Sequence, residues 1–198
     1  MPITINGNGT VTGLSSVDLP AGTVTTEDIA SAAVTPAKLS QPLTRVASQT
    51  ASGLNVDFTG IPSWVRRITV MFDGISLNGN TDNLIQIGDS GGFEVTGYVS
   101  SSNFLNGGVQ SGSAFSVGGF SLLNGSLNNV ITGSVVIVNI SGNTWIATGL
   151  YNLENATGYT LMTAGKKTLS DTLTQVRITT VNGTSTFDAG SINIMYEG

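Results

Sequence analysis

Trp64-Val-Arg-Arg-Ile68-Thr-Val70-Met-Phe72-Asp-Gly-Ile75-Ser-Leu77 is the stretch that decides the fold. Ile68, Val70 and Phe72 recur at every second residue and share one face, while Arg67, Thr69 and Asp73 share the other. That is the signature of a strand with one buried side. Outward from it the same kind of run recurs at 44–50, 54–59, 83–88, 92–99, 114–122, 144–151, 157–163, 173–181 and 190–197. Residues 131–140 add Val135-Val136-Ile137-Val138 in succession, as expected of a strand covered on both faces. Asn78-Gly79, Asp89-Ser-Gly-Gly92, Asn106-Gly107-Gly108, Asn124-Gly125, Ser141-Gly-Asn143 and Asn182-Gly183 punctuate the runs as turns. About ten strands at this spacing, with no sustained helical period, predict an all-β fold: a jelly-roll-like β-sandwich over residues 44–198.

Residues 1–43 obey a different rule. From Pro20 to Pro42 the only branched aliphatics are Val24, Ile29, Val34 and Leu39, and Leu14 and Leu19 extend the same five-residue step backwards. A step of five fits neither helix nor strand, so no single regular element puts all six on one face. Thr25 or Thr26 can cap a short helical turn led by Glu27 and Asp28, and Thr35 can cap another with Pro36 at its first position. Such turns are too short to stand alone in water. With one aliphatic per five residues the segment cannot form its own core, and repeats that cannot bury a face alone stack against something else. The expectation is an extended stem that intertwines into a homotrimer, with Leu14, Leu19, Val24, Ile29, Val34 and Leu39 facing the axis.

Composition removes most chemistry. The chain has 198 residues, 10% charged, with 26 Gly, no Cys, no His and a net charge of −5; Thr, Ser and Asn supply 65 residues. A Ser-His-Asp triad, a Cys nucleophile, a His- or Cys-ligated zinc and any disulfide are thereby unavailable. Seven basic residues against twelve acidic ones argue against nucleic acid and against docking to an anionic membrane. No apolar run approaches a membrane span, and Met1-Pro2-Ile3-Thr4 opens without the basic and apolar regions of a signal peptide. The expected place of synthesis is a cytoplasm.

The remaining candidates are few. Asp73, Asp82, Asp89 and Glu94 fall in one strand-turn-strand region, where a glycosidase-like pair would need a defined separation; solvated turn carboxylates are the plainer reading. Asn78-Gly-Asn80-Thr-Asp82, with Asp89 beyond, faintly follows a calcium loop, yet Asn83 stands where glycine is required, and a hairpin turn fits better. Neither a metal nor a cofactor is expected. Lys166-Lys167 reads as a solvated hairpin tip, and Gly7-Asn8-Gly9 as a turn. For stacking on sugar rings the chain offers Trp64, Trp145, Tyr98, Tyr151 and Tyr159; both tryptophans sit at strand starts and read as core or interface. Tyr98 lies beside a Ser/Asn/Gly-rich stretch, 100–129, read as long polar loops on a rigid sandwich. Tyr98, Asn103, Phe104 and Asn106 are therefore the candidate binding residues.

Two parts of the chain resemble bacteriophage proteins. Thr23 to Leu43 is similar to segments of tail-fibre and other virion-appendage proteins. Gly60-Ile-Pro-Ser-Trp-Val-Arg-Arg-Ile-Thr-Val-Met-Phe72 and Val176 to Gly198 resemble parts of small phage and prophage structural proteins. The resemblance covers about a third of the chain. It implies a homotrimeric virion fibre, made in the bacterial cytoplasm, whose N-terminal part attaches to other virion proteins and whose β domain faces outward; the expected contact of that domain is a host surface polysaccharide. It brings no catalytic residues. The chain is short for a complete long tail fibre, so a head fibre or capsid decoration protein with a purely structural role is the alternative.

Overall fold

The computed structural model describes residues 4–5, 11–12, 38–39, 41–106, 109–155 and 159–198. The chain divides into two compact units, Met1–Ser40 and Gln41–Gly198. In the first, β1 (Thr4–Ile5) pairs antiparallel with β2 (Val11–Thr12). Of the expected assembly residues only Leu39 is described, and it is 50% exposed. Leu14, Leu19, Val24, Ile29 and Val34, the two helical turns and the Gly7-Asn8-Gly9 turn lie outside the described residues.

The second unit is all β. Its strands are β3 (Thr44–Arg45), β4 (Gln49–Thr50), β5 (Val56–Thr59), β6 (Arg67–Leu77), β7 (Asn83–Asp89), β8 (Gly92–Phe93) and β9 (Val99–Asn106). There follow β10 (Val109–Ser116), β11 (Phe120–Leu122), β12 (Ile131–Ser141), β13 (Thr144–Leu153), β14 (Tyr159–Thr168), β15 (Gln175–Thr180) and β16 (Phe187–Glu197). Nine form an antiparallel sheet in the order β10-β9-β14-β13-β12-β6-β16-β3, with β4 also on β16; five form β11-β7-β15-β5, with β8 on β7. The sheets pack face to face as a sandwich.

Alternation explains what lies between them. Across the smaller sheet Val56, Ile178, Ile85 and Phe120 stand in one cross-strand line, every one buried. Across the larger, Ile192, Phe72, Gly133, Tyr151, Leu161 and Phe104 make another. Each large apolar side chain so buried contributes about 1.5–3 kcal/mol, and these lines hold the sandwich. In β6 a bulge keeps the pattern inward: Asp73 and Gly74 oppose the single Thr132, whose Oγ1 accepts the Gly74 N–H at 2.9 Å. Gly74 adopts φ +62°, and the extra residue shifts parity so that Ile75 and Leu77 continue the buried face begun by Ile68, Val70 and Phe72.

Four expectations are corrected here. Asn78–Asp82 is no hairpin, because β6 and β7 belong to different sheets and the turn carries the chain across the sandwich. Residues 100–129 are mostly strand: β9 and β10 pair with each other, and β11 joins the smaller sheet. Their hydroxyls are spent indoors. Ser100 Oγ accepts the Ser121 N–H at 2.8 Å, Thr163 Oγ1 donates to the Ser121 carbonyl at 2.6 Å, and Ser102 and Ser121 share a hydrogen bond at 2.9 Å. Side chains of β9 and β14 thus complete the edge of β11 that no strand among the described residues pairs.

Lys166-Lys167 lies inside β14 rather than at a tip, and Lys167 is buried. Finally, β12 is covered on one face only. Val135 and Ile137 are buried, whereas Val136 and Val138 are half-buried and Ile140 is exposed. That open face continues through Ile146, Leu150, Met162, Val99 and Phe115, the last 69% exposed.

Candidate functional site

Tyr98 does not face solvent. It is 1% exposed, with its hydroxyl accepting the Ile87 N–H at 2.8 Å and donating to the Ile87 carbonyl at 3.2 Å. Its ring meets Phe120 edge-on at 5.1 Å, and Lys167 Nζ lies 5.2 Å from its centroid. Lys167 also donates to the Thr96 carbonyl at 2.8 Å and pairs with Glu94. Burial pushes the phenol pKa well above its ordinary value. The reason for the correction is local: Gly97, at φ +75°, turns the chain so that the next residue points into the sandwich.

The other predicted residues separate. Asn103 sits on the opposite face of β9 from Phe104, in register with Met162 and Ser113. Phe104 and Asn106 do come together with Tyr159, the first residue of β14: the two rings lie 5.5 Å apart, tilted by 44°, and Asn106 Nδ2 donates to Tyr159 Oη at 3.2 Å. The Phe104 ring lies over Gly112 on β10, where any Cβ would overlap it. Trp145 is core, and Trp64 packs edge-on against Tyr196 at 5.8 Å.

Phe104 and Tyr159 wall a cleft of about 330 Å³, which is bounded otherwise by Leu153 and Leu161 and by Leu123, Asn124, Gly125 and Asn129 from the β11–β12 connection. The connection is pinned at several points. Asp82 Oδ1 accepts the Asn124 N–H at 2.8 Å, Asn80 Oδ1 accepts the Leu127 N–H at 2.9 Å, and Asn129 Nδ2 donates to the Asn124 carbonyl. Gly125 makes the turn at φ +68°. The Asn124 side chain is left 5% exposed, and neither Oδ1 nor Nδ2 has a hydrogen-bond partner among the described residues. Buried polar groups are nearly always paired, and each unpaired one costs about 1–3 kcal/mol. Sequence reading found the Asn124-Gly125 turn but not the amide's burial. The missed signal is Leu122-Leu123 immediately before it, an apolar pair that draws the turn inward.

The calcium-like run has a different use. Asn78 Oδ1 accepts from Thr186 N–H at 2.9 Å while Asn80 and Asp82 hold the cleft connection, so its oxygens diverge to separate loops. Among the described residues no three metal-ligating side chains gather.

Asp89 and Glu94 do meet, on Ser170. Asp89 Oδ2 accepts the Ser170 hydroxyl at 2.6 Å and the Asp171 N–H at 2.9 Å, while Glu94 Oε1 accepts the Ser170 N–H at 2.6 Å. The Ser170 hydroxyl, with the Gly91 and Asp171 N–H groups, holds Asp89 below the usual carboxylate range. Desolvation alone would raise Glu94, but Lys167 and Ser170 outweigh it and hold it low as well. A general acid must be held high, so this pair is suited to bracing the loop rather than to donating a proton. Compared with known proteins, the chain matches no family model, no curated protein and no solved structure.

Proposed function

We propose that this is a non-enzymatic bacteriophage virion protein, a homotrimeric fibre whose residues 1–43 form an extended stem with short helical turns that anchors it to other virion proteins. Residues 44–198 form the outward knob, which contacts a host surface glycan. The virion part is supported by the resemblance of Thr23–Leu43, Gly60–Phe72 and Val176–Gly198 to phage structural proteins. For the knob, a jelly roll is the finer reading: apart from the hairpins, the chain changes sheet at each step through β5, β6, β7, β9, β11, β12, β15 and β16.

The single observation that supports the binding role is the open apolar cleft walled by the Phe104 and Tyr159 rings, which lie 5.5 Å apart with Asn106 on Tyr159 Oη. Competition is the test. Purified full-length protein is expected to bind host cells and block phage adsorption, and to sediment as a trimer; failure to bind cells removes the host-contact reading. The alternative is a decoration or head-fibre protein with a purely structural role. It draws on one observation, the open apolar face that runs from Ile140 to Phe115, which suits contact with neighbouring virion subunits. Full-length protein that leaves adsorption untouched while saturating fibre-less particles favours it.

A further inference from the structure

We infer that the outer face of β10-β9-β14-β13-β12 is the surface through which copies of this chain pack on one another; this rests on the homotrimer reading and names its contact. Antiparallel strands with a solvated face ordinarily turn polar and charged side chains outward. Here β9, β10, β12 and β13 contain no charged residue, and β14 has only Lys166 and the inward-facing Lys167. What they turn outward is apolar and contiguous. Met162 stands opposite Leu150, and in a neighbouring row Ile146 stands opposite Val138. Val99 and Phe115, both exposed, carry the patch across β9 to the sheet edge at β10. Single exposed apolar residues are ordinary, but a continuous patch marks an interaction site. Methionine use points the same way. Met71, Met162 and Met195, three of the four methionines in the chain, all lie on this side of the sheet, with Met71 on β6 and Met195 on β16 beside the patch. The unbranched thioether adapts to a second surface, and methionine is enriched where proteins meet.

The face itself selects the occupant. A foreign partner is selected by complementary charge, and on these five strands only Lys166 offers any outward. Copies that each carry a net charge of −5 repel one another, so contact between them falls where charge is absent. Size fits as well: five strands spaced about 4.8 Å apart and about 30 Å long give a footprint of about 700 Å², close to the roughly 800 Å² that each partner contributes to a stable interface. The relief is self-complementary. Between β12 and β13 runs a shallow trough of about 460 Å³ lined by Ser134, Val136, Thr148 and Leu150, while Phe115 projects from β10, three strands away and 69% exposed. A knob and a hole at different places on one face let each copy fill the next, the head-to-tail contact that closes into a ring. Phe104, Leu153 and Leu161 belong to the opposite side of the same strands, so this packing does not draw on the cleft residues.

The test follows Met162 in the full-length chain by limited hydrogen-peroxide oxidation and mass spectrometry, alongside sedimentation, in the parent and in Phe115→Glu. Phe115 lies two strands from Met162, so the substitution reaches that thioether only through a contact between copies. The parent is expected to sediment as an oligomer with Met162 protected. Phe115→Glu, its fold verified by thermal melting, is expected to oxidise Met162 about tenfold faster, because a carboxylate left unpaired in the contact opens it. Leu150→Glu is expected to do the same from the trough side. An oligomeric parent whose Met162 reacts as fast as in both folded variants overturns the shared face and leaves the homotrimer to its stem. A dimer with protected Met162 upholds the face and removes the homotrimer. A monomeric parent overturns both, whether its Met162 is reactive, covered by its own chain, or protected only on assembled particles by a different virion subunit.

Discussion

Tyr98 and Asn124 are both polar side chains buried beside aromatic rings, and they end in opposite states. Tyr98 spends its hydroxyl on both backbone groups of Ile87 and lies under Lys167, which is itself paired with Glu94 and bonded to Thr96. At Asn124 the backbone N–H and carbonyl are both engaged, yet the side-chain amide has no hydrogen-bond partner among the described residues. A satisfied buried network braces a fold, whereas an unsatisfied buried amide subtracts from its stability. Asn83 in β7 is in the same state as Asn124, buried with both amide atoms unpaired among the described residues, so two buried amides weigh against the fold that Tyr98 supports.

Breaking the satisfied side should cost the most. Lys167→Met removes the cation from the buried end of the network and leaves Glu94 without its counter-ion, an expected loss of about 3 kcal/mol by urea unfolding. A loss below about 0.5 kcal/mol, the range of ordinary surface changes, would refute the bracing role. Acid attacks the same region. Because Asp89 and Glu94 are held below the ordinary carboxylate range in the folded chain, their contribution is complete above about pH 5 and is lost as pH falls through the folded values. Melting temperature followed from pH 7 to pH 2 should drop in that window, and less steeply for Asp89→Asn.

Tyr98→Phe comes next, at about 2 kcal/mol, since it strips the partner from the buried Ile87 N–H, while the Ile87 carbonyl keeps the Glu94 N–H. Asn124→Leu should show the smallest effect and the opposite sign, unchanged or up to about 1 kcal/mol more stable, because it replaces an unpaired amide with an apolar group of similar size. Destabilisation of Asn124→Leu by more than about 1 kcal/mol would show that the amide is paired in solution and would erase the contrast with Tyr98.

How much of this was legible follows from the same accounting. The alternation of Ile68, Val70 and Phe72 gave the strand, and Asn124-Gly125 gave its turn, because both are local patterns. The interior of β9 and β14 was not legible: Ser100, Ser102 and Thr163 point inward, yet their burial is hidden by hydroxyls that make the stretch look like a loop. Lys167 was misplaced for the same reason, since only Glu94, Thr96 and Tyr98, some seventy residues earlier, make an inward lysine tolerable. In the candidate site Phe104 and Asn106 could be named from their place in the chain. Tyr98 and Asn103 could not be sorted from them without knowing where Gly97 turns the backbone and which way β9 faces.

The hydroxyls that complete the β11 edge carry a consequence of their own. Ser100, Ser102, Ser121 and Thr163 hold no charge and no reducible group, so this closure is indifferent to acidity, salt and redox potential. It also occupies a backbone edge that another extended segment could otherwise extend, which lowers the tendency of crowded copies to associate wrongly. On the proposed virion reading, a seam with both properties suits a particle that leaves a reducing, crowded cell for an uncontrolled outside medium.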